Sequence, residues 1–280
     1  MADSAAITTY RYLRISMVVA VLLLAVSIAI ERSQVDCWQT SVSAYYYTPV
    51  KAIFVGVLMA VSLSLIVIKG RTSWEDAALN AAGMLAPIVA VVPTSDVGTC
   101  WSVTPRPLPV NDDGELADWV VANIDNNITA LIIAGIVGLI VAAVIATIAT
   151  RNMRAIAEVG PVQMRLGLLG AMAFLIAGAV MFVTWDDFDT LAHGLAAVAM
   201  FLFLAIAVGL NAWQHRNDPA PRAYLWIYAA IAGLMVAAAA VMLPFGSSWD
   251  HMVLVLEATE ITLFAVFWLV QTKEHWNETP

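Results

Sequence analysis

The chain has 280 residues, of which 61% are hydrophobic and 12% charged, and its mean hydropathy is +0.83. That balance excludes both a water-soluble globular protein and a disordered one, and makes the lipid bilayer the first partner. The formal charge is −8 and no segment gathers basic residues into a patch, which excludes nucleic acid as a partner.

Eight apolar stretches follow one another along the chain: Ile15–Ile30, Val50–Ile68, Ala77–Val92, Thr129–Thr150, Leu166–Thr184, Leu191–Trp213, Ala223–Pro244 and Met252–Gln271. A helix needs roughly 20 apolar residues to cross a bilayer, so the first and third are expected to extend at one end. The runs are continuous rather than alternating, which argues for helices over barrel strands, because lipid offers backbone groups no partners. The expected fold is all-α: a single integral membrane domain over residues 1–280, a polytopic bundle of eight transmembrane helices. The charged start and apolar run of the first stretch also fit a signal peptide. Glu31-Arg32-Ser33 follows Ile30 without a small-x-small site, so an uncleaved helix is expected.

Lys and Arg placement sets the orientation. Arg11, Arg14, Lys69, Arg71, Arg151, Arg154, Arg165, Arg216, Arg222 and Lys273 fall on one side, against Arg32, Lys51 and Arg106 on the other. The richer side is read as cytoplasmic, with both termini inside a multi-pass protein of the cell membrane. Acidic residues, among them Glu31, Asp96, Asp189 and Asp250, concentrate outside. Trp38, Trp101, Trp185 and Trp249 mark the outer boundary and Trp74, Trp213 and Trp276 the inner one. Cys37 and Cys100 both fall in outer loops, where they form either a structural disulfide or two unrelated thiols.

The region 95–127 is the one long loop. Its Pro, Asp and Asn content reads as irregular outer chain, followed by a short interfacial helix over Glu115–Ile124 with Leu116, Trp119, Val120 and Ile124 on one side. Tyr47-Thr48-Pro49-Val50-Lys51 and Asp189-Thr190-Leu191-Ala192-His193 enter the second and sixth spans in similar phase. Ala82-Gly83-Met84-Leu85 has a counterpart in Ala232-Gly233-Leu234-Met235, and Pro93 and Pro244 close those two spans. A 4+4 parallel repeat is one reading; chance recurrence of small residues in membrane helices is the other.

Ionisable residues at membrane depth need a reason. Glu257 and Glu260 share one face of the last span, and Asp250 lies two turns before Glu257 on the same side. Together they would line an acidic groove open to the outside, binding a cation, a lipid headgroup or a small solute, with Asp189 and His193 opposite. The bland alternative is a structural hydrogen-bond network. Asp189, His193 and His251 carry donor types that suit zinc or another cation, although no local HExxH spacing joins them. His215 and His275 are read as solvated. The hydroxyl-rich run Ser41–Thr48, with Tyr47 and then Lys51, is either an interfacial anchor or a recognition lip. The readings that stay open are a binding or transporter-like protein, a membrane-embedded zinc-dependent lipid hydrolase, and a structural subunit of a homo-oligomer or larger membrane complex.

SVSAYYYTPVKAIFVGVLMAVSLSLIVIKG (Ser41–Gly70) and WEDAALNAAGMLAPIVAVVPT (Trp74–Thr94) resemble a set of uncharacterised prokaryotic multi-spanning membrane proteins of the DRAM-like type. The resemblance implies a helical membrane bundle and no particular activity. A more distant likeness is to the ceramidase and adiponectin-receptor superfamily of intramembrane zinc hydrolases, whose hallmark is a Ser, an Asp and three His. Ser43, Asp189, His193 and His251 are the matching residue types, while Glu257 and Glu260 stand where that superfamily has its closing histidines.

Overall fold

The computed structural model describes residues 2–105, 107–151, 161–216, 222–242 and 249–276. Arg106, Arg154 and Pro244, used in the sequence reading, lie outside the described residues. Among the described residues eight α-helices follow in order: α1 (Ala2–Val35), α2 (Lys51–Val67), α3 (Ser73–Val91), α4 (Asp118–Arg151), α5 (Pro161–Thr184), α6 (Phe188–Gln214), α7 (Arg222–Met242) and α8 (Met252–Glu274). The protein is all-α; among the described residues the β pairing is a single bridge between Val110 and Leu116.

Among the described residues six helices are long and apolar enough to cross a membrane: α1, α4, α5, α6, α7 and α8. The chain is therefore a multi-pass membrane protein. The other two differ from the expectation of eight full-length spans for separate reasons. α2 has 17 residues, about 25 Å of helix, because the chain before it forms a different structure. α3 carries Glu75 and Asp76 in its first turn, and both have jobs described below.

The packing order is α1 on α2, α2 on α3, α3 on α6, α6 on α7, α7 on α8 and α8 back on α1. Six helices thus close a ring. A close approach of α2 and α3 uses Gly83 of α3. A Cβ there would stand 2.8 Å from Ile66 Cγ1 and 3.0 Å from the Ser62 carbonyl, and the Ser62 hydroxyl donates to the Gly83 carbonyl at 2.7 Å. Small residues give membrane helices this proximity, since packing has to replace the hydrophobic drive.

α4 and α5 pair with each other outside the ring, and almost none of their apolar surface is covered by protein. In lipid that exposure is the favourable state. The expected interfacial helix is not a separate element: helix starts at Asp118 and runs unbroken to Arg151. Val120, Ile124 and Ile128 are buried against Phe188 and Ala192 of α6 and the end of α3, so this face serves the bundle and not the membrane surface.

Residues 41–50 are the second departure. Ser43–Tyr47 form a 3-10 turn, and Tyr45, Tyr46 and Tyr47 are all buried. The segment turns back into the mouth of the ring as a plug. It is not an aromatic anchor at the interface. Exposed tryptophans do occur at both ends of the bundle, Trp38 and Trp249 at the plug end and Trp74, Trp213, Trp226 and Trp276 at the other.

Candidate functional site

The plug is held by groups from four elements. Gln39, fully buried, is the centre of the arrangement. Its Oε1 accepts from the amides of Thr99 (3.1 Å) and Cys100 (3.3 Å), and its Nε2 donates to the Cys100 carbonyl. Its own carbonyl accepts from His251 Nδ1 at 3.2 Å, and the Leu254 amide donates to the next carbonyl, Thr40, at 2.9 Å. One amide side chain therefore ties the loop after α1 to the loop after α3, while its backbone reaches the start of α8. The Cys37–Cys100 disulfide lies beside it. Glu31 at the end of α1 accepts from the amide and hydroxyl of Ser102 at 3.1 and 3.0 Å, adding a third link to the same loop.

Inside the ring the plug meets Glu257. The Val42 and Ser43 amides donate to Glu257 Oε2 at 2.6 and 3.2 Å, and the Ser43 hydroxyl donates to Oε1 at 2.7 Å. The open end of a 3-10 turn offers N–H groups that suit an anion, and a carboxylate from α8 fills that role. Below the carboxylate lies a cavity of about 60 Å³ between α1, α2, α6 and α8. Its walls include Phe54, Val57, Met200, Phe201 and Phe264. Among the described residues, Glu257 is the one charged side chain that lines it.

The residues singled out from the sequence are distributed differently from the expected groove. Asp250 is exposed ahead of α8, Glu257 turns inward to the plug, and Glu260 is 3% exposed one turn deeper. The three carboxylates do not form a common outward face, because the plug amides draw Glu257 into the ring. Asp189 is half-buried at the start of α6. His193 is buried with Nδ1 2.6 Å from the Val92 carbonyl at the end of α3, and His251 bonds Gln39. Among the described residues no three His, Cys, Asp or Glu side chains converge as a metal site. Tyr47 donates to the Thr94 carbonyl at 2.8 Å, and burial pushes its phenol above the ordinary range, so it remains a donor. Lys51 lies 4.3 Å over the Tyr46 ring.

The opposite end holds polar residues that the sequence reading passed over. Glu75, 1% exposed, accepts from Asn211 Nδ2 (2.8 Å), the Arg71 amide (2.8 Å), Gln214 Nε2 (3.1 Å) and Gln271 Nε2 (3.5 Å). Glu274 accepts from the Tyr228 hydroxyl at 2.5 Å, lies 2.8 Å from His215 Nε2 and receives Arg71 at 3.5 Å. His215 and His275 are buried, not solvated, and His215 stacks on Tyr228. The amphipathic pattern hinted at this. Asn211 follows Ala207 and Val208 on the buried stripe of α6, and Gln271 follows Phe264, Phe267 and Trp268 on that of α8.

No family model, curated protein or solved structure matches the chain. The class that the fold defines is a helical, multi-pass membrane protein, and the site must be read from its own chemistry.

Proposed function

We propose that this membrane protein binds a small organic ammonium ion inside its six-helix ring, with Glu257 as counter-charge and the 41–50 plug as gate. The observation that carries the reading is the lone carboxylate on a wall whose one other polar side chain is Ser43. A hard metal ion needs about six oxygen ligands. Beyond Glu257 and the Ser43 hydroxyl, the lining of this cavity carries no oxygen side chain, while Phe54, Phe201 and Phe264 supply apolar and cation–π contacts around a single counter-ion. The volume of about 60 Å³ exceeds what one water requires, roughly 10–15 Å³, and leaves room for a group of a few heavy atoms. Oε1 has one partner, the Ser43 hydroxyl, so an N–H of the solute can take it while the plug amides keep Oε2.

The plug end faces outward in this proposal. Arg11, Arg14, Lys69, Arg71, Arg216, Arg222 and Lys273 belong to the opposite end, which would lie in the cytoplasm with both termini. A disulfide at the plug end fits an oxidising exterior. α2 and α3 would then cross the cell membrane with the other six, since both are members of the closed ring.

The test is ethylammonium titrated against the full chain in lipid nanodiscs, read as the midpoint of thermal unfolding. A saturable rise in the wild type and none in Glu257→Gln is expected, with Glu115→Gln in the exposed loop behaving as wild type. No rise with methyl-, ethyl- or propylammonium, or an equal rise in Glu257→Gln, overturns the proposal.

A further inference from the structure

The end of the ring away from the plug contains a second cavity, independent of Glu257. It measures about 160 Å³ and lies between the first turns of α1, the α2–α3 connection and the end of α8. Arg11, Arg14, Lys69 and Arg71 stand around it, and Glu75 and Gln271 form its floor. Among the described residues, four permanent cations thus line the cavity together with one carboxylate and His275.

That carboxylate is engaged elsewhere. Glu75 already accepts four N–H donors from α6, α8 and the α2–α3 turn, which fix its oxygens toward the bundle. The acids beyond the floor engage two of the cations at their edges: Asp76 lies 3.1 Å from Lys69 Nζ, and Glu274 lies 3.5 Å from Arg71. Arg11 has neutral partners. Its guanidinium donates to the Trp276 carbonyl and sits 4.6 Å from the centre of the Trp276 ring. Gln271 Oε1 is buried without a hydrogen-bond partner, so the floor also holds an unused acceptor for a hydroxyl.

The arrangement selects among anions. A carboxylate presents two oxygens in one plane and would leave part of this cation set facing an empty space. A phosphate presents oxygens in several directions, and guanidinium groups grip it in pairs. The site is flanked by exposed Trp74 and Trp276, the depth at which lipid headgroups sit.

We propose that this cavity binds a phosphate group, whose oxygens bridge the α1 arginines to Lys69 and Arg71 of the α2–α3 connection. The phosphate comes either from an anionic phospholipid or from solution. In both cases it fastens α1 to α3 at the end where the chain has a charged seam and no covalent tie.

The experiment uses the full chain in mild neutral detergent with two probes: phosphatidylglycerol in mixed micelles, counted by native mass measurement, and inorganic phosphate, read by thermal shift against equal chloride. Retention of phosphatidylglycerol with no response to inorganic phosphate assigns the lipid as source; a response to inorganic phosphate assigns the free ion. Either result supports the proposal only if Arg14→Gln and Lys69→Gln each weaken binding by about tenfold, the loss of one charge-assisted contact. Lys69 is solvent-facing, so its variant folds whatever becomes of Arg14. Arg216→Gln, an exposed cation at the same end that stacks on Trp213, should bind as wild type. Binding of neither probe overturns the proposal, as does an equal loss in Arg216→Gln, which would show diffuse attraction and no site.

Discussion

The Ser43 hydroxyl donates to Glu257 Oε1 at 2.7 Å, across 214 residues of chain, and so joins the loop after the first helix to the second turn of the last span. Two amides of the same loop donate to the carboxylate's other oxygen, Oε2. Replacing Glu257 with Ala leaves both amides buried without an acceptor, a loss of about 3 kcal/mol of stability. Ser43→Ala removes one hydroxyl and should lose about 1 kcal/mol. Unfolding in mixed micelles of rising denaturing-detergent fraction measures both; a Glu257→Ala loss no greater than that of Ser43→Ala would contradict the shell.

The α2–α3 seam makes a separate prediction. Gly83→Val drives a branched side chain into Ile66 and the Ser62 carbonyl, and should destabilise the bundle by about 2 kcal/mol. Gly170→Ala on α5 meets nothing within 4 Å and should be neutral. The same unfolding measurement separates them, and equal effects would show that helix approach at Gly83 is not limiting.

Glu75 and Asn211 come together from α3 and α6 at 2.8 Å in a buried setting. A double-mutant cycle with Glu75→Gln and Asn211→Ala should give a coupling of about 1–3 kcal/mol, because each residue alone leaves the other with an unmet group. Additive losses would mean that the network divides differently.

The disulfide closes a separation of 63 residues between the α1 and α3 loops. On chain entropy alone, Cys37→Ser should lower stability by up to about 4 kcal/mol. It should also speed proteolysis of the 95–117 segment, which Gln39 and Glu31 would then hold without covalent help. Cleavage rates read on a gel check this; unchanged rates would place the hold on this loop in its hydrogen bonds.

How much of this was legible in the sequence depends on what each feature needs. Continuous apolar runs revealed the helices, since length and hydropathy are local properties. The ring was not legible, because α3 pairing with α6 depends on packing between segments that the α4–α5 hairpin separates. Glu257 stood out as an acid inside an apolar run. Its partners did not, since backbone amides at Val42 and Ser43 carry no side-chain signature. Gln39 escaped notice for a related reason: a loop glutamine looks solvated until two other segments close over it. The tyrosine run suggested the membrane interface, and only the return of the chain into the ring turns it into a plug.

In the proposed function Glu257 holds the plug shut over a ligand site. Amide hydrogen exchange of the 39–47 segment in nanodiscs, with and without ethylammonium, tests it most directly. Slow exchange at Val42 and Ser43 is expected in the wild type, slower still with the cation bound beneath the plug, and fast, cation-independent exchange in Glu257→Gln. Wild-type exchange that ignores the cation, or a Glu257→Gln plug as protected as the wild type, would contradict it.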